Sequence, residues 1–291
     1  MQGLVLCHLI KPFTKEGNFT KHLFDFYASC KKPPLNLGKN SNSLPDTFMN
    51  KSFIEIEATD STNNYAMQLI QKGMAQHGMA VFAHEQTSGK GQRGKQWHSN
   101  AGENIIVSVI LNTKGLLLTR QLILNMSAAL AVYDFFSLYA GNETSVKWPN
   151  DLYWRDRKAG GTLIENVIAG NEWQWAITGI GININQTIFD ERASKAVSLK
   201  QITGKTYNAV TLARELADLL KIRYDNIFTF SAESILQEYN NVLFKKGESV
   251  TLKKNNIVFD CFIKGVNIYG QLVIEKGIEQ LLDSGEVEWV I

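Results

Sequence analysis

Three stretches of this chain place residue types at spacings that could do chemistry on an anionic substrate. The first, Gly89-Lys90-Gly91-Gln92-Arg93-Gly94-Lys95, follows a strand-like run and contains a formal GxGxxG. A dinucleotide fingerprint also needs a helix that starts within the glycines and offers its N-terminus to pyrophosphate. Here residues 96–102 intervene and the next apolar run reads as a strand, so that reading fails on context. What remains is a flexible loop with three cations, open amides and Trp97, suited to closing over an anion. An exposed basic loop without a ligand would present the same residues.

The second stretch is Lys147-Trp148-Pro149-Asn150-Asp151, followed by Lys158-Ala159-Gly160-Gly161. Pro149 breaks a strand and leaves Asn150 and Asp151 at a turn, where side chains can face a ligand. Lys158 precedes two glycines that permit close backbone approach, and a cation there could neutralise charge developing on a phosphate. A β-hairpin with a solvated lysine accounts for the same residues. The third stretch is Gly179-Ile180-Gly181-Ile182-Asn183. Inward-facing glycines leave space for a flat ligand, and Asn183 could read an adenine edge with donor and acceptor together. A bulged edge strand is the alternative.

The elements that must position these residues are legible in outline. Residues 53–57 read as a strand, and Asp60-Ser61-Thr62-Asn63-Asn64 is dense in capping side chains before a helix over 65–72 that Gly73 closes. Residues 79–84 and 105–111 read as strands on either side of the polar loop 85–104. Residues 119–139 carry apolar side chains at 122, 126, 130, 133 and 136, the spacing of an amphipathic helix. Strands follow near 145–148, 151–154, 161–166 and 173–184, then helices marked by Leu212, Leu216, Leu219 and Ile222 and by residues 234–243. From Lys245 onward, glycines punctuate short runs rich in Val and Ile, as in a small meander or barrel. Such a piece is small for an independent fold and should lean on the main domain.

The chain has 291 residues, 44% of them hydrophobic and 20% charged, which excludes global disorder and coiled coil. Residues 1–48 hold six lysines against Glu16, Asp25 and Asp46, a balance of +3, so the body from 49 onward sits near −1 of the chain's +2. A near-neutral body offers no basic face for nucleic acid. Residues 1–48 read as a poorly ordered extension, or as a start assigned upstream of a true one at Met49. Cys7, Cys30 and Cys261 are far apart and form no CxxC pair, which indicates neither disulfides nor zinc and suits a reducing, cytoplasmic setting. The longest apolar run, 116–136, is interrupted by Arg120, Gln121, Asn125 and Asp134 and fails as a membrane span. Residues 3–10 make a poor signal peptide.

Taken together and in order, five motifs resemble those of the biotin–protein ligase family. They are Asp60-Ser61-Thr62-Asn63, the Gln86…Gly89-x-Gly91-x-x-Gly94-x-x-Trp97 loop, Lys147-Trp148-Pro149-Asn150-Asp151, Lys158…Gly161-x-Leu163-x-Glu165 and Gly179-x-Gly181-x-Asn183. The resemblance implies an α+β fold: a mixed-sheet catalytic domain of the class II synthetase-like type over 49–244, and a small C-terminal SH3-like β-barrel over 245–291. It implies biotin and ATP as substrates with Mg²⁺, a biotinyl-5′-AMP intermediate, and transfer to a lysine of a biotin carboxyl carrier domain. Lys158 would be the catalytic residue. Ser61, Thr62, Asn63, Gln86, Lys90, Gly91 and Gln92 would join it around biotin, and Arg93, Trp97, Asn150, Asp151 and Asn183 would serve the adenylate, with Asp151 the candidate metal ligand. The sister activity on lipoate, and a non-catalytic biotin-binding regulator, are the rival readings.

Two departures from the family pattern stand out. Lys90, Gln92 and Lys95 occupy positions commonly Arg in the loop, so the planar fork is lost and one charge with it. Residues 1–48 offer neither the length nor the pattern of the winged helix-turn-helix that bifunctional members carry, so a ligase without operator binding is expected. Membrane and nucleic acid are not expected as partners, and a homodimer through sheet edges is left open.

Overall fold

The computed structural model describes residues 52–290, so the expectations for residues 1–48 and for a start at Met49 lie outside the described residues. The chain enters through β1 (Phe53–Thr59), α1 (Thr62–Gln71) and β2 (Met79–Gln86), and returns along β3 (Asn104–Asn112). After α2 (Gln121–Ala140) come four strands in succession: β4 (Thr144–Lys147), β5 (Asp151–Trp154), β6 (Arg157–Ala169) and β7 (Glu172–Asn183). They form one seven-stranded sheet in the order β1-β2-β3-β7-β6-β5-β4. The β1–β2 pair is parallel and every other pairing antiparallel, so the sheet is mixed, as expected.

The central strands β2 and β3 are buried along nearly their whole length, which explains their near-continuous apolar runs. Three further helices, α3 (Leu199–Thr203), α4 (Ala209–Thr229) and α5 (Ala232–Asn241), complete the layer around α2. The amphipathic reading of α2 does not hold. It buries side chains on all sides, from Ile123 to Phe136, because α4 and α5 flank it while β4, β5 and β6 lie against it. Its one buried acid, Asp134, accepts from Arg223 Nε of α4 at 2.6 Å, and Arg223 Nη1 donates to Glu238 of α5 at 2.6 Å. Three helices are thereby tied by one buried guanidinium.

The last five strands are β8 (Ser249–Lys254), β9 (Ile257–Val266), β10 (Leu272–Lys276), β11 (Ile278–Leu282) and β12 (Glu288–Val290). They pair antiparallel in the order β11-β10-β9-β8-β12, a second small β layer at the C-terminus. The lone residue between β10 and β11 is Gly277 at φ 73, a left-handed turn that suits glycine. The sheet leans on the main body through Trp148, whose indole Nε1 donates to Gly270 O at 2.9 Å.

Candidate functional site

The first turn of α1 departs from the sequence expectation in a useful way. The helix starts at Thr62, and Ser61 at its N-cap makes no side-chain capping bond. Asp60 does the local work instead, accepting from Ser61 N at 2.7 Å and from Asn64 Nδ2 at 2.5 Å. The Asn64 amide in particular holds the Asp60 carboxyl below its usual range. Ser61, Thr62 and Asn63, all buried, are then free to turn toward the sheet. Thr62 donates through both N and Oγ1 to Gln86 Oε1, at 2.8 and 3.1 Å. Ser108 Oγ lies 2.7 Å from Thr62 Oγ1 and 2.6 Å from Asn63 Oδ1. Asn63 Nδ2 donates to Glu165 Oε2 at 2.7 Å, and Lys90 Nζ reaches the other oxygen of Glu165 at 3.2 Å. One chain of hydrogen bonds therefore runs from β2 through α1 and β3 to β6 and the glycine-rich loop. Such networks fix rotamers and leave little freedom to any member.

That loop is a closed hairpin rather than a ribbon of open amides. Gly91 N donates to Lys95 O at 2.7 Å and Trp97 N to Gly89 O at 2.9 Å, and Arg93 and Gly94 turn the tip at φ 58 and 73. The glycines of β7 line the cavity, and the space beside them is shared with two neighbouring side chains. A Cβ on Gly181 would sit 2.6 Å from Cε2 of the Trp97 indole, and one on Gly179 would collide with the amide of Asn63. The two glycines thus seat two site side chains.

On the facing wall, β5 and β6 pair with an irregularity that leaves Ala159 unmatched between Lys158 and Gly160. A bulge of this kind re-aims side chains, and Lys158 Nζ meets Asp151 Oδ1 at 2.6 Å. Gly161 keeps room for the pair, since a Cβ there would lie 3.0 Å from the same Asp151 oxygen. Lys158 is anchored by its backbone, its N donating to Lys195 O and its O accepting from Val197 N. The preceding turn, with its cis Trp148–Pro149 bond, is held by Tyr239, whose hydroxyl donates to Pro149 O at 2.9 Å. Half-buried Lys147 donates to Tyr153 OH at 3.0 Å. Burial above all, with the nearby ammonium groups of Lys158, Lys95 and Lys195 and against the pull of Asp151, brings its pKa down to about 8.

These parts enclose one cavity of about 610 Å³. Ser61, Thr62, Asn63 and Gln86 line it, as do Lys90, Gly91, Gln92, Arg93 and Trp97 of the hairpin and Asn150, Asp151 and Lys158 of the opposite wall. Asn183 does not: it is buried, and its amide donates to the carbonyl of Val197 at 3.3 Å, which supports the segment that anchors Lys158. Sequence reasoning passed over Ser108 and the rim residues Ser284, Gly285, Val287, Glu288 and Trp289, and gave Lys147 no role beyond its place in the motif. Ser108 had a signal, a lone hydroxyl in the apolar run of β3. Chemically the cavity offers a polar cradle suited to a small heterocycle and a cation-rich wall suited to phosphates, with one carboxylate already engaged by Lys158.

Residues 55–183 match the model of the biotin/lipoate A/B protein ligase family. The chain is 36% identical over 169 residues to the biotin–[acetyl-CoA-carboxylase] ligase of Paracoccus denitrificans, which covers 56% of this chain and 67% of that protein. It belongs to the biotin/lipoate A/B protein ligase family. Within that family it is 32% identical over 211 residues to the bifunctional ligase/repressor BirA of Bacillus spizizenii, covering 70% of this chain and 63% of that relative's length. In three dimensions it is similar to the biotin protein ligase of Aquifex aeolicus in complex with biotin and ATP, at a TM-score of 0.68 and 26% identity over 82% of this chain and 98% of that one.

Proposed function

We propose that the chain is an ATP-dependent biotin–protein ligase. The observation that carries this is the joining, in one cavity, of the Gln86–Thr62–Ser108–Asn63 network to the Lys158–Asp151 pair. A fused ureido ring needs fixed donors and acceptors that an apolar pocket cannot supply, and the network presents them. A carboxylate oxygen of biotin attacks the α-phosphorus of ATP, the bond to the β,γ-pyrophosphate breaks, and biotinyl-5′-AMP forms. Lys158 lies where the two anions meet and offsets their repulsion as the bond forms. A lysine amine of the acceptor then attacks the acyl carbon, AMP leaves, and an amide results. The acceptor in this reading is a biotin carboxyl carrier domain, in keeping with the name of the Paracoccus relative.

Ser61 and Gln86 are assigned to biotin along with Thr62 and Asn63. Lys90, Gly91 and Gln92 close over it, while Trp97, Asn150 and Asp151 serve the adenylate and Arg93 fastens the hairpin to Ser284. Asn183 acts through the backbone that carries Lys158. Magnesium would enter with the phosphates and keep most of its waters; Asp151 offers it one carboxylate, and no group of three acidic, His or Cys ligands exists among the described residues. A cytoplasmic setting suits ATP and the free, buried Cys261, and the five antiparallel C-terminal strands suit an SH3-like barrel. The deciding experiment is biotin-dependent ATP–pyrophosphate exchange with lipoate as control. Exchange with biotin alone, lost in Lys158→Ala, supports the reading; exchange with lipoate alone, or with neither, defeats it.

A further inference from the structure

Lysine heads belong in water unless something holds them elsewhere. The Lys147 ammonium, at the end of β4, is instead flanked by two aromatic rings from separate segments, with a third ring packed against both of them. It lies 4.7 Å from the Tyr153 ring centroid and 5.3 Å from that of Trp289. Phe244 fills the space between those two, at 5.0 Å from the ring of Tyr153 and 5.7 Å from that of Trp289. The backbone of this segment is fixed as well, with Val146 N donating to Val242 O and Phe244 N to Val146 O, both at 2.9 Å. Trp289 sits on β12, the edge strand of the C-terminal sheet, so one of the two flanking rings comes from outside the central sheet.

Both Lys147 and Trp289 line the cavity. The charged groups that face Lys147 are Asp151 from β5, Lys158 from β6, Lys95 from the hairpin and Lys195 from the segment before α3. Asp151 is already bonded to Lys158, which leaves a surplus of positive charge on this wall. A tethered ammonium in such a surplus is suited to several phosphate oxygens in a row. Ring faces hold it without neutralising it, because the attraction of a quadrupole for a cation leaves the charge intact.

We propose that Trp289 is a positioning residue for the nucleotide: its ring, presented by the C-terminal sheet, holds the Lys147 ammonium on the cavity wall where the polyphosphate of ATP lies. This rests on the reading of the cavity as an ATP site. It gives the small C-terminal sheet a defined part in the first half-reaction.

The test is biotin-dependent ATP–pyrophosphate exchange at pH 7, with KM for ATP and KM for biotin measured separately in the native chain, Trp289→Leu and Trp289→Phe. Leu keeps apolar packing against Phe244 but removes the ring face; Phe keeps a face. We expect KM for ATP to rise roughly fivefold in Trp289→Leu, with kcat and KM for biotin within about twofold of native, and Trp289→Phe to recover most of the loss. Trp289→Met carries the same expectation and serves if the Leu variant does not fold. Exchange by the native chain with an unchanged KM for ATP in both ring-free variants overturns the proposal and leaves the ligase reading standing. So does an equal rise in both KM values, or a Phe variant as impaired as Leu. Absence of exchange in the native chain defeats the ligase reading, and this proposal with it.

Discussion

Lys158 Nζ lies 2.6 Å from Asp151 Oδ1 across the bulged pairing of β5 and β6, and Gly161 supplies the room for that approach. The proposed catalytic cation is thus held before substrate arrives. Replacing Lys158 with Ala removes the charge that offsets the meeting of two anions, and we expect kcat for adenylate formation to fall by about 10²–10³. Gly161→Ala should act through the same pair: its Cβ presses on the Asp151 carboxylate, and kcat should fall more than KM for biotin rises. Pyrophosphate exchange under saturating biotin measures both. Normal turnover in Gly161→Ala would mean that the Lys158–Asp151 geometry is not what sets the rate.

The two glycines of β7 make a second test. Gly179→Ala forces the Asn63 amide out of its seat, and with it the bonds to Ser108 and Glu165. We expect KM for biotin to rise at least about tenfold, the scale of one or two lost hydrogen bonds in a buried site, with KM for ATP changing less. Isothermal titration with biotin alone reads the effect directly. An unchanged affinity would show that Asn63 is not needed for biotin.

The motifs were legible because the chemistry needs particular residue types at fixed spacings, and five in order leave little room for chance. Most strands were legible too, since buried strands such as β2 and β3 are continuous apolar runs. What the sequence could not convey was occupancy. Gly179 and Gly181 read as room for a ligand and do line the cavity, but they also seat Asn63 and Trp97, and only tertiary contact reveals that second part. Likewise Asn183 looks like a ligand-reading side chain until its amide is found on the Val197 carbonyl. The periodicity of α2 suggested one apolar face because polar residues such as Ser127 and Asp134 interrupt the rest; in the fold both are buried. Trp289, more than a hundred residues from Lys147, carried no local signal at all.

Lys147 should make the nucleotide step sensitive to mild alkali. Its pKa is down to about 8, chiefly through burial, and only the ammonium form attracts phosphate. As pH rises through that value the charge is lost, so kcat/KM for ATP should fall with a midpoint near it, because kcat/KM reports the free enzyme. Lys147→Arg, which stays charged, should move this fall to higher pH even if its absolute activity is lower. A profile flat from pH 7 to 9.5 in the native chain would rule out a role for the Lys147 charge.

The Asp134–Arg223–Glu238 group, buried except for the half-buried Glu238, bears on stability rather than chemistry. Removing the guanidinium alone, in Arg223→Met, leaves two carboxylates in the helix layer and should cost about 3–5 kcal/mol in denaturant unfolding. Changing all three together to apolar or neutral residues, Asp134→Leu, Arg223→Met and Glu238→Gln, should recover most of that loss, since the desolvation of the charges goes with them. A triple variant no more stable than Arg223→Met would show that the group contributes beyond satisfying its own charges.

Gln92 poses the last question, because it lines the cavity at a hairpin position where the family resemblance leads one to expect arginine. A neutral amide gives the adenylate phosphate neither a charge nor a planar pair of donors. Neighbouring Arg93 points elsewhere: its Nη2 donates to Ser284 Oγ at 3.2 Å, and its guanidinium occupies the space above Gly285. The hairpin is therefore tied to the C-terminal sheet by the arginine it has, and lacks one at the position proposed to face the phosphate. We expect Gln92→Arg to slow escape of biotinyl-5′-AMP by about tenfold, the worth of one charge-assisted hydrogen bond. The readout is trapping of released adenylate by free amine after pyrophosphatase drives the first step to completion, with acceptor transfer measured alongside. An escape rate unchanged by the added arginine would mean that retention is set by closure of the hairpin on Ser284 and Gly285, and Arg93→Ala should then be the variant that leaks.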